Sequence, residues 1–391
     1  MKKLTIIHTA DWHLGTSYVR FPDRAEQLRT EQLEMLARMT GLCRDKEIDL
    51  LLIAGDLFDT ASPPPGLVRE VRDLLEQIST TQIVISPGNH DPASPDSPWL
   101  QEQWPGHVHI FTTDYTFVEL PNLQTRVYGT AFRSGAVRSS LLPDQPEPLD
   151  PEWLNILLIH GERVTAGQGS AYHPISSDWL TRSDFDYIAL GHIHQPEQPQ
   201  PLRPAGPRAA YSGAPAARGF DEQEAAGLLC LELTLRPAEQ RGGRPFEIEW
   251  QVSQLPVASR RFLSAEIDIS DCSSQSAIRD QILAVVGETA DWRRHAWKVR
   301  LTGIRQPEIT PSLVWLQHHM KQDLFYLAIS DHSEQAIDLE QLLTEHSLAG
   351  AFARQIAGSQ SDWSSLSEDQ QAILRIGLQA FSTEVTFNDP A

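Results

Sequence analysis

Five short motifs rich in His, Asp and Asn follow one another along this chain, and their side chains are of the kinds that hold divalent cations. They read Asp11-Trp12-His13, Gly55-Asp56-Leu57-Phe58-Asp59, Gly88-Asn89-His90-Asp91, His160-Gly161 and Gly191-His192-Ile193-His194. Carboxylates, imidazoles and an amide oxygen suit Mn, Fe, Zn or Co more than Ca, leave Mg open, and require no thiolate. A phosphodiester repels an attacking hydroxide and releases a poor alkoxide. Two cations about 3.5–4 Å apart relieve both difficulties, generating hydroxide near neutral pH and stabilising charge on the phosphoryl oxygens. The chemistry implied is phosphoester hydrolysis at a two-metal site.

Spacing sharpens this reading. Two positions apart on an extended segment, Asp11 and His13 point the same way and can hold one ion, and His192 and His194 could serve one ion each. Asp56, after Gly55 at a tight strand exit, is the natural bridge, and Asn89 offers a neutral amide oxygen. His160 ends a very apolar stretch, where a polar ring is costly unless a partner satisfies it. Singly these signals are weak, since a strand-end His is more often a hydrogen-bonded core residue. All five in this order leave little room for a purely structural reading.

The elements that must position these residues are short β-branched or leucine-rich runs: LTIIHTA, LLLIAG, QIVIS, NILLIH and YIALG. Helical spacing over 24–47 and a Pro-opened helix from 63–65 through Ile78 alternate with strands at 3–8, 49–54 and 82–86. This β-α-β-α-β start implies a mainly parallel sheet with its ligand site beyond the carboxyl ends of the strands. Shorter strands are expected within 108–132 and at 186–190, 208–213, 227–235 and 246–252. Beyond a boundary near 255–260, strands at 262–270, 297–303 and 324–330 and helices at 275–287 and 311–320 predict a small α/β unit. Amphipathic helices are expected at 337–357 and 366–382. The expected domains are a catalytic 1–255, a capping 256–335 and a C-terminal helical 336–391.

At 391 residues the chain has room for two or three domains, and 40% hydrophobic with 21% charged residues is an ordinary globular composition. No apolar run approaches the length of a membrane span. The segment Met1–Ile7 superficially resembles a signal peptide, but its apolar stretch stops at His8, so it reads as the first core strand. Cys43, Cys230 and Cys272 lie outside every motif and suggest a reducing, cytoplasmic setting. A net charge of −20 argues against broad adhesion to nucleic acid. Two acid-free stretches run the other way: Arg126, Arg133 and Arg138 within 126–138, and Arg203, Arg208 and Arg218 within 198–220.

The ordered motif set resembles the calcineurin-like metallophosphoesterase superfamily over about residues 1–250. Ala10–Gly15, Gly55–Asp59, the Pro-rich run after Asp91, Tyr187–His194 and Tyr211-Ser212-Gly213 resemble its DNA repair exonuclease branch, the SbcD-like proteins and above all the YhaO type. The resemblance implies a four-layer αββα sandwich, an α/β fold, with a smaller capping domain and C-terminal helices. It implies two divalent ions, manganese first, with Fe, Zn, Co or Mg as alternatives. Asp11, His13, Asp56 and His194 would hold one ion, and Asp56 would bridge to a second held by Asn89, His160 and His192. His90 would orient the scissile phosphate and protonate the leaving oxygen, with Asp91 fixing its ring. Asp59 would hold a ligand imidazole, and Arg133 and Arg218 are candidate phosphate or DNA contacts. The other histidines, His173 included, match no ligand position. The implied partners are DNA, as substrate, and an SMC-like ATPase held by the C-terminal helices; a homodimer stays open, and no membrane is expected.

The expected function is that of a DNA exonuclease or endonuclease subunit acting on DNA ends in repair. The rival enzyme is a metallophosphoesterase for a small phosphodiester or phosphomonoester, since one site can serve many substrates. A scaffold with a vestigial site is disfavoured by the intact ligand set.

Overall fold

Strands with apolar residues on both sides need cover on both faces, and this chain supplies it with a second sheet and with helices. The computed structural model describes residues 1–222, 227–238 and 244–381. The chain divides into two units, Met1–Leu263 and Ser264–Ala391.

In the first unit the chain runs β1 (Lys2–Thr9), α1 (Ala25–Asp45), β2 (Leu50–Ile53), α2 (Pro65–Glu76), β3 (Gln82–Ile85), α3 (Pro98–Gln101) and β4 (Val108–Ile110). It continues through β5 (Thr116–Leu120), β6 (Thr125–Gly129), β7 (Leu154–His160), β8 (Glu162–Val164), β9 (Pro174–Ser176), α4 (Ser177–Arg182) and β10 (Tyr187–Gly191). β11 (Gln200–Pro201), β12 (Arg208–Tyr211), β13 (Leu228–Pro237) and β14 (Phe246–Leu255) complete it. One six-stranded sheet has the order β14-β13-β1-β2-β3-β4 and the other β11-β12-β10-β7-β6-β5. Each is parallel at its centre and antiparallel toward one edge: β1–β2–β3–β4 and β6–β7–β10–β12 are parallel, while β13, β14, β5 and β11 pair antiparallel.

Period-two alternation explains how the sheets stack. In β7, Ile156 and Leu158 join the cluster that also contains Leu4, Ile6 and Leu52 of the other sheet. Their neighbours Leu157 and Ile159 face away, joining Trp179 and Leu180 of α4. Tyr187 and Ala189 repeat the first pattern, and Ile188 and Leu190 the second. On the first sheet, α1 contributes Met35, Leu36, Met39 and Cys43 and α2 contributes Val68, Val71 and Leu75. The result is a mixed α/β fold of two large sheets with helices, as expected. All three cysteines are buried free thiols.

The second unit holds a sheet of β15 (Phe262–Asp268), β16 (Ala296–Thr302) and β18 (Tyr326–Asp331) in that order, with a short pair β17 (Ile304–Arg305) and β19 (Glu334–Gln335). Its helices are α5 (Gln275–Gly287), α6 (Leu313–Met320), α7 (Leu339–Thr344), α8 (Leu348–Ala357) and α9 (Glu368–Phe381). The single helix expected over 337–357 is in fact two. Ser347 ends the first by capping the second, its Oγ accepting from Gly350 N at 3.0 Å. The final residue of the helix expected at 366–382 and the rest of the tail to 391 lie outside the described residues. No helix among the described residues is long and apolar enough to cross a membrane.

Candidate metal centre

Every candidate ligand follows the carboxyl end of a parallel strand, so packing the sheets face to face brings the loops together. Asp11 and His13 follow β1, Asp56 and Asp59 follow β2, and Asn89, His90 and Asp91 follow β3. From the second sheet come His160, the last residue of β7, and His192 and His194 after β10.

The first two loops are stitched backbone to backbone. Asp11 N donates to Gly55 O at 3.0 Å, His13 N to Asp56 O at 3.0 Å, and Leu14 N to Leu57 O at 2.9 Å. Buried Gln32, on α1, braces them further: its Nε2 donates to His13 O at 3.0 Å, while Gly15 N donates to its Oε1 at 3.3 Å. Asp11, His13, Asp56 and His192 all hold positive φ (56°, 46°, 51° and 108°), a conformation that is costly for residues with a Cβ. Four such residues at one place mark strain that the surrounding structure must hold, a pattern typical of functional sites. Gly88 is required for another reason: a Cβ there would lie 2.2 Å from Asp56 Oδ1.

Three sets of ligand atoms each lie within 4.8 Å of one another: Asp11–His13–His194, His13–Asp56–His90 and Asp11–Asp56–His160. Asn89 and His192 join from the far side, Asn89 Oδ1 being 3.0 Å from His160 Nε2 and 3.2 Å from His192 Nδ1. Asp56 lies between the groups, its Oδ2 3.4 Å from His160 Nε2 and 3.7 Å from His13 Nε2.

Hydrogen bonding on the outer nitrogens fixes what the inner ones offer. His160 Nδ1 donates to Ala54 O at 2.7 Å, so its Nε2 turns a lone pair toward the oxygens of Asn89 and Asp56. His13 Nδ1 donates to Asp59 Oδ1 at 3.0 Å, and its buried Nε2 has no hydrogen-bond partner. Lone pairs of nitrogen and oxygen thus converge with no proton between them, and divalent cations fit that arrangement.

The electrostatics agree. Burial opposes charge on His160, yet the Asp56 carboxylate beside it raises its pKa to about 9, so a proton takes up the charge a cation would supply. Burial works against ionisation of Asp56 as well, and the His160 and His13 rings still hold its carboxyl below the usual range. His192 is lowered to about 4 by burial and then by His160, which keeps it in the neutral form a ligand needs.

Two expectations need correction. Asp91 does not reach the His90 ring. Its carboxylate accepts from the backbone N–H groups of Asp56 (3.2 Å), Phe58 (3.1 Å) and Gly88 (2.8 Å), tying two ligand loops together, and His90 Nδ1 faces Asp59 O at 3.2 Å instead. Burial, then the Asp56 charge, push the Asp91 carboxyl up. The acid-free Arg stretches, meanwhile, are not bare in space. Arg126 meets Glu119 and Asp150, Arg133 lies 3.5 Å from Asp114 and Arg203 lies 3.3 Å from Asp184.

Two residues near the centre carried no signal in the sequence. Glu222 Oε1 lies 2.6 Å from His194 Nδ1 and 2.8 Å from Arg218 Nη2. His173 is buried with its Nδ1 2.9 Å from His160 O, backing the strand that ends in that ligand. Only proximity in the fold reveals either one.

Residues 4–196 match the calcineurin-like phosphoesterase family. The chain is 26% identical over 274 residues to the uncharacterized metallophosphoesterase YhaO of Bacillus subtilis, covering 67% of this chain and 65% of that one. It is 28% identical over 259 residues to SbcD, a component of the nuclease SbcCD of the same organism, covering 56% of this chain and 63% of that one. The matches thus span a little under two thirds of either relative. Among solved structures it is similar to the calcineurin-like phosphoesterase YfkN of Bacillus subtilis, at 14% identity over 73% of this chain and 97% of that one. The TM-score there is 0.39, too low to argue from.

Proposed function

Since residues 4–196 form a domain of the calcineurin-like phosphoesterase family, whose members hydrolyse phosphoester bonds with divalent metals, we propose that this chain is a two-metal phosphodiesterase acting on DNA ends, a nuclease component of repair. The observation that carries this reading is the convergence of seven candidate ligands on both sides of Asp56. Likeness to a protein named as part of a nuclease supports DNA as the substrate and an SMC-like ATPase as the partner.

Asp11, His13, Asp56 and His194 would hold one ion, and Asp56, Asn89, His160 and His192 the other, with manganese the first choice. Bound there, the ions supply an activated water and neutralise charge developing on the phosphoryl oxygens. Asp59 and the Ala54 carbonyl keep protons on the outer nitrogens of His13 and His160, leaving Nε2 as the donor atom of each ring. His90 is exposed, and the Asp59 carbonyl accepts from its Nδ1, which leaves Nε2 to carry a proton to the leaving oxygen.

A second reading, a small phosphodiester or phosphomonoester as substrate, is favoured by one observation: the net charge is −20 and several loop arginines are paired with acids. A manganese-dependent assay with labelled duplex DNA, single-stranded DNA and a chromogenic diester separates the two. Cleavage of DNA is expected; turnover of the small ester alone, even with a candidate ATPase partner added, would replace the first reading with the second.

A further inference from the structure

The two halves of the centre are backed differently. Behind His160 stands a backbone carbonyl, Ala54 O at 2.7 Å, and His192 Nδ1 faces the Asn89 amide at 3.2 Å. Behind His13 and His194 stand carboxylates, Asp59 at 3.0 Å and Glu222 at 2.6 Å. One guanidinium joins those two acids. Arg218 Nη2 donates to Glu222 Oε1 at 2.8 Å, its backbone N to Glu222 Oε2 at 2.9 Å, and its Nη1 lies 3.8 Å from Asp59 Oδ1.

This arrangement also resolves a close approach between two donors. Arg218 Nη2 lies 3.0 Å from His194 Nδ1, which is tolerable when both N–H groups point at the same acceptor, Glu222 Oε1. The His194 proton then sits on Nδ1, and Nε2 faces Asp11 Oδ1 at 3.8 Å with its lone pair available. Arg218 itself is only 21% exposed, and its donors are committed to the two acids, which leaves it poorly placed for the phosphate contact its sequence position suggests.

We propose that Arg218 and Glu222 are positioning residues. Together with Asp59 they clamp the His13 and His194 rings with Nδ1 protonated, and so set the cation affinity of the Asp11–His13–His194 half of the centre and not of the other half. The proposal rests on the two-metal reading above. A carboxylate behind a ligand imidazole fixes its orientation and raises its basicity, and its loss typically weakens the metal about 10- to 100-fold. A guanidinium fork spanning two acids is a role Lys cannot fill.

The test is calorimetric titration of Mn2+ into the full-length protein. Wild type takes up two ions. Glu222→Ala and Arg218→Ala each weaken one of them about 10- to 100-fold and leave the other unchanged, while Glu222→Gln, which keeps an acceptor for His194 Nδ1–H, lies nearer wild type. The Glu222→Ala loss persists in an Asn89→Ala background and disappears in a His194→Ala background, a pattern that general destabilisation does not give. Equal weakening of both ions, or an undiminished effect without His194, overturns the clamp, as does unchanged binding of both ions. A wild-type protein that binds no ion overturns the two-metal reading itself, and the clamp with it.

Discussion

Asp56 can bridge because its carboxylate is shared out: Oδ1 accepts from His90 N at 2.8 Å, and Oδ2 faces both His160 and His13. The His90 side chain sits close enough to raise a question of role, since its ring lies within one of the three ligand groups. If it serves as the acid rather than a ligand, His90→Ala should keep two metals per chain by elemental analysis while turnover falls about 10²- to 10⁴-fold. Loss of metal in that variant would make it a ligand instead. At this scale the ligand set was legible from sequence, because each motif is local and its residue types are chemically narrow. Asp91 misled for the same reason. Adjacency to His90 suggested a partnership, whereas the loop turns its carboxylate toward the backbone of Asp56, Phe58 and Gly88. Glu222 was invisible, lying 28 residues from the ring it backs.

Strands and helices earned their place in the sequence through periodicity, and the site depends on how their ends are joined. Apolar runs bounded by Gly, Pro or Asp gave nearly every strand of the first unit to within a residue or two. α5 too was foreseen from its spacing. Breaks inside helical patterns were harder, as at Ser347, where capping by one serine outweighs continued amphipathic spacing. The loop after β3 shows how little slack the elements leave. Gly88→Ala would set a Cβ 2.2 Å from Asp56 Oδ1 and 2.7 Å from Asp56 N, both parts of the bridging residue. The strand scaffold should survive, with far-UV circular dichroism unchanged, while manganese affinity drops at least about tenfold. Unaltered affinity would mean the bridge tolerates displacement.

Across the whole molecule the charge runs against the substrate, and DNA must be held by local cations against a chain of net charge −20. The pairing of arginines with acids far away in sequence was not legible beforehand, since a window free of carboxylates says nothing about what the fold brings alongside. Arg133 is 55% exposed and only 3.5 Å from one acid, so it remains a candidate phosphate contact. Arg133→Glu should weaken duplex binding and lower the salt-dependence slope by about one; an unaltered slope would put the DNA path elsewhere. The division of the chain at residue 263 sets apart a unit whose helices α7 to α9 are proposed to meet the ATPase partner. All of this presupposes that distant loops hold two cations about a shared aspartate. The most direct measurement is anomalous diffraction from crystals soaked in manganese, for wild type and Asp56→Ala. Two peaks are expected in wild type, one among Asp11, His13 and His194 and one among Asn89, His160 and His192, both touching Asp56 and both lost in the variant. A wild-type map with no peak there, or with peaks that do not touch Asp56, would contradict it.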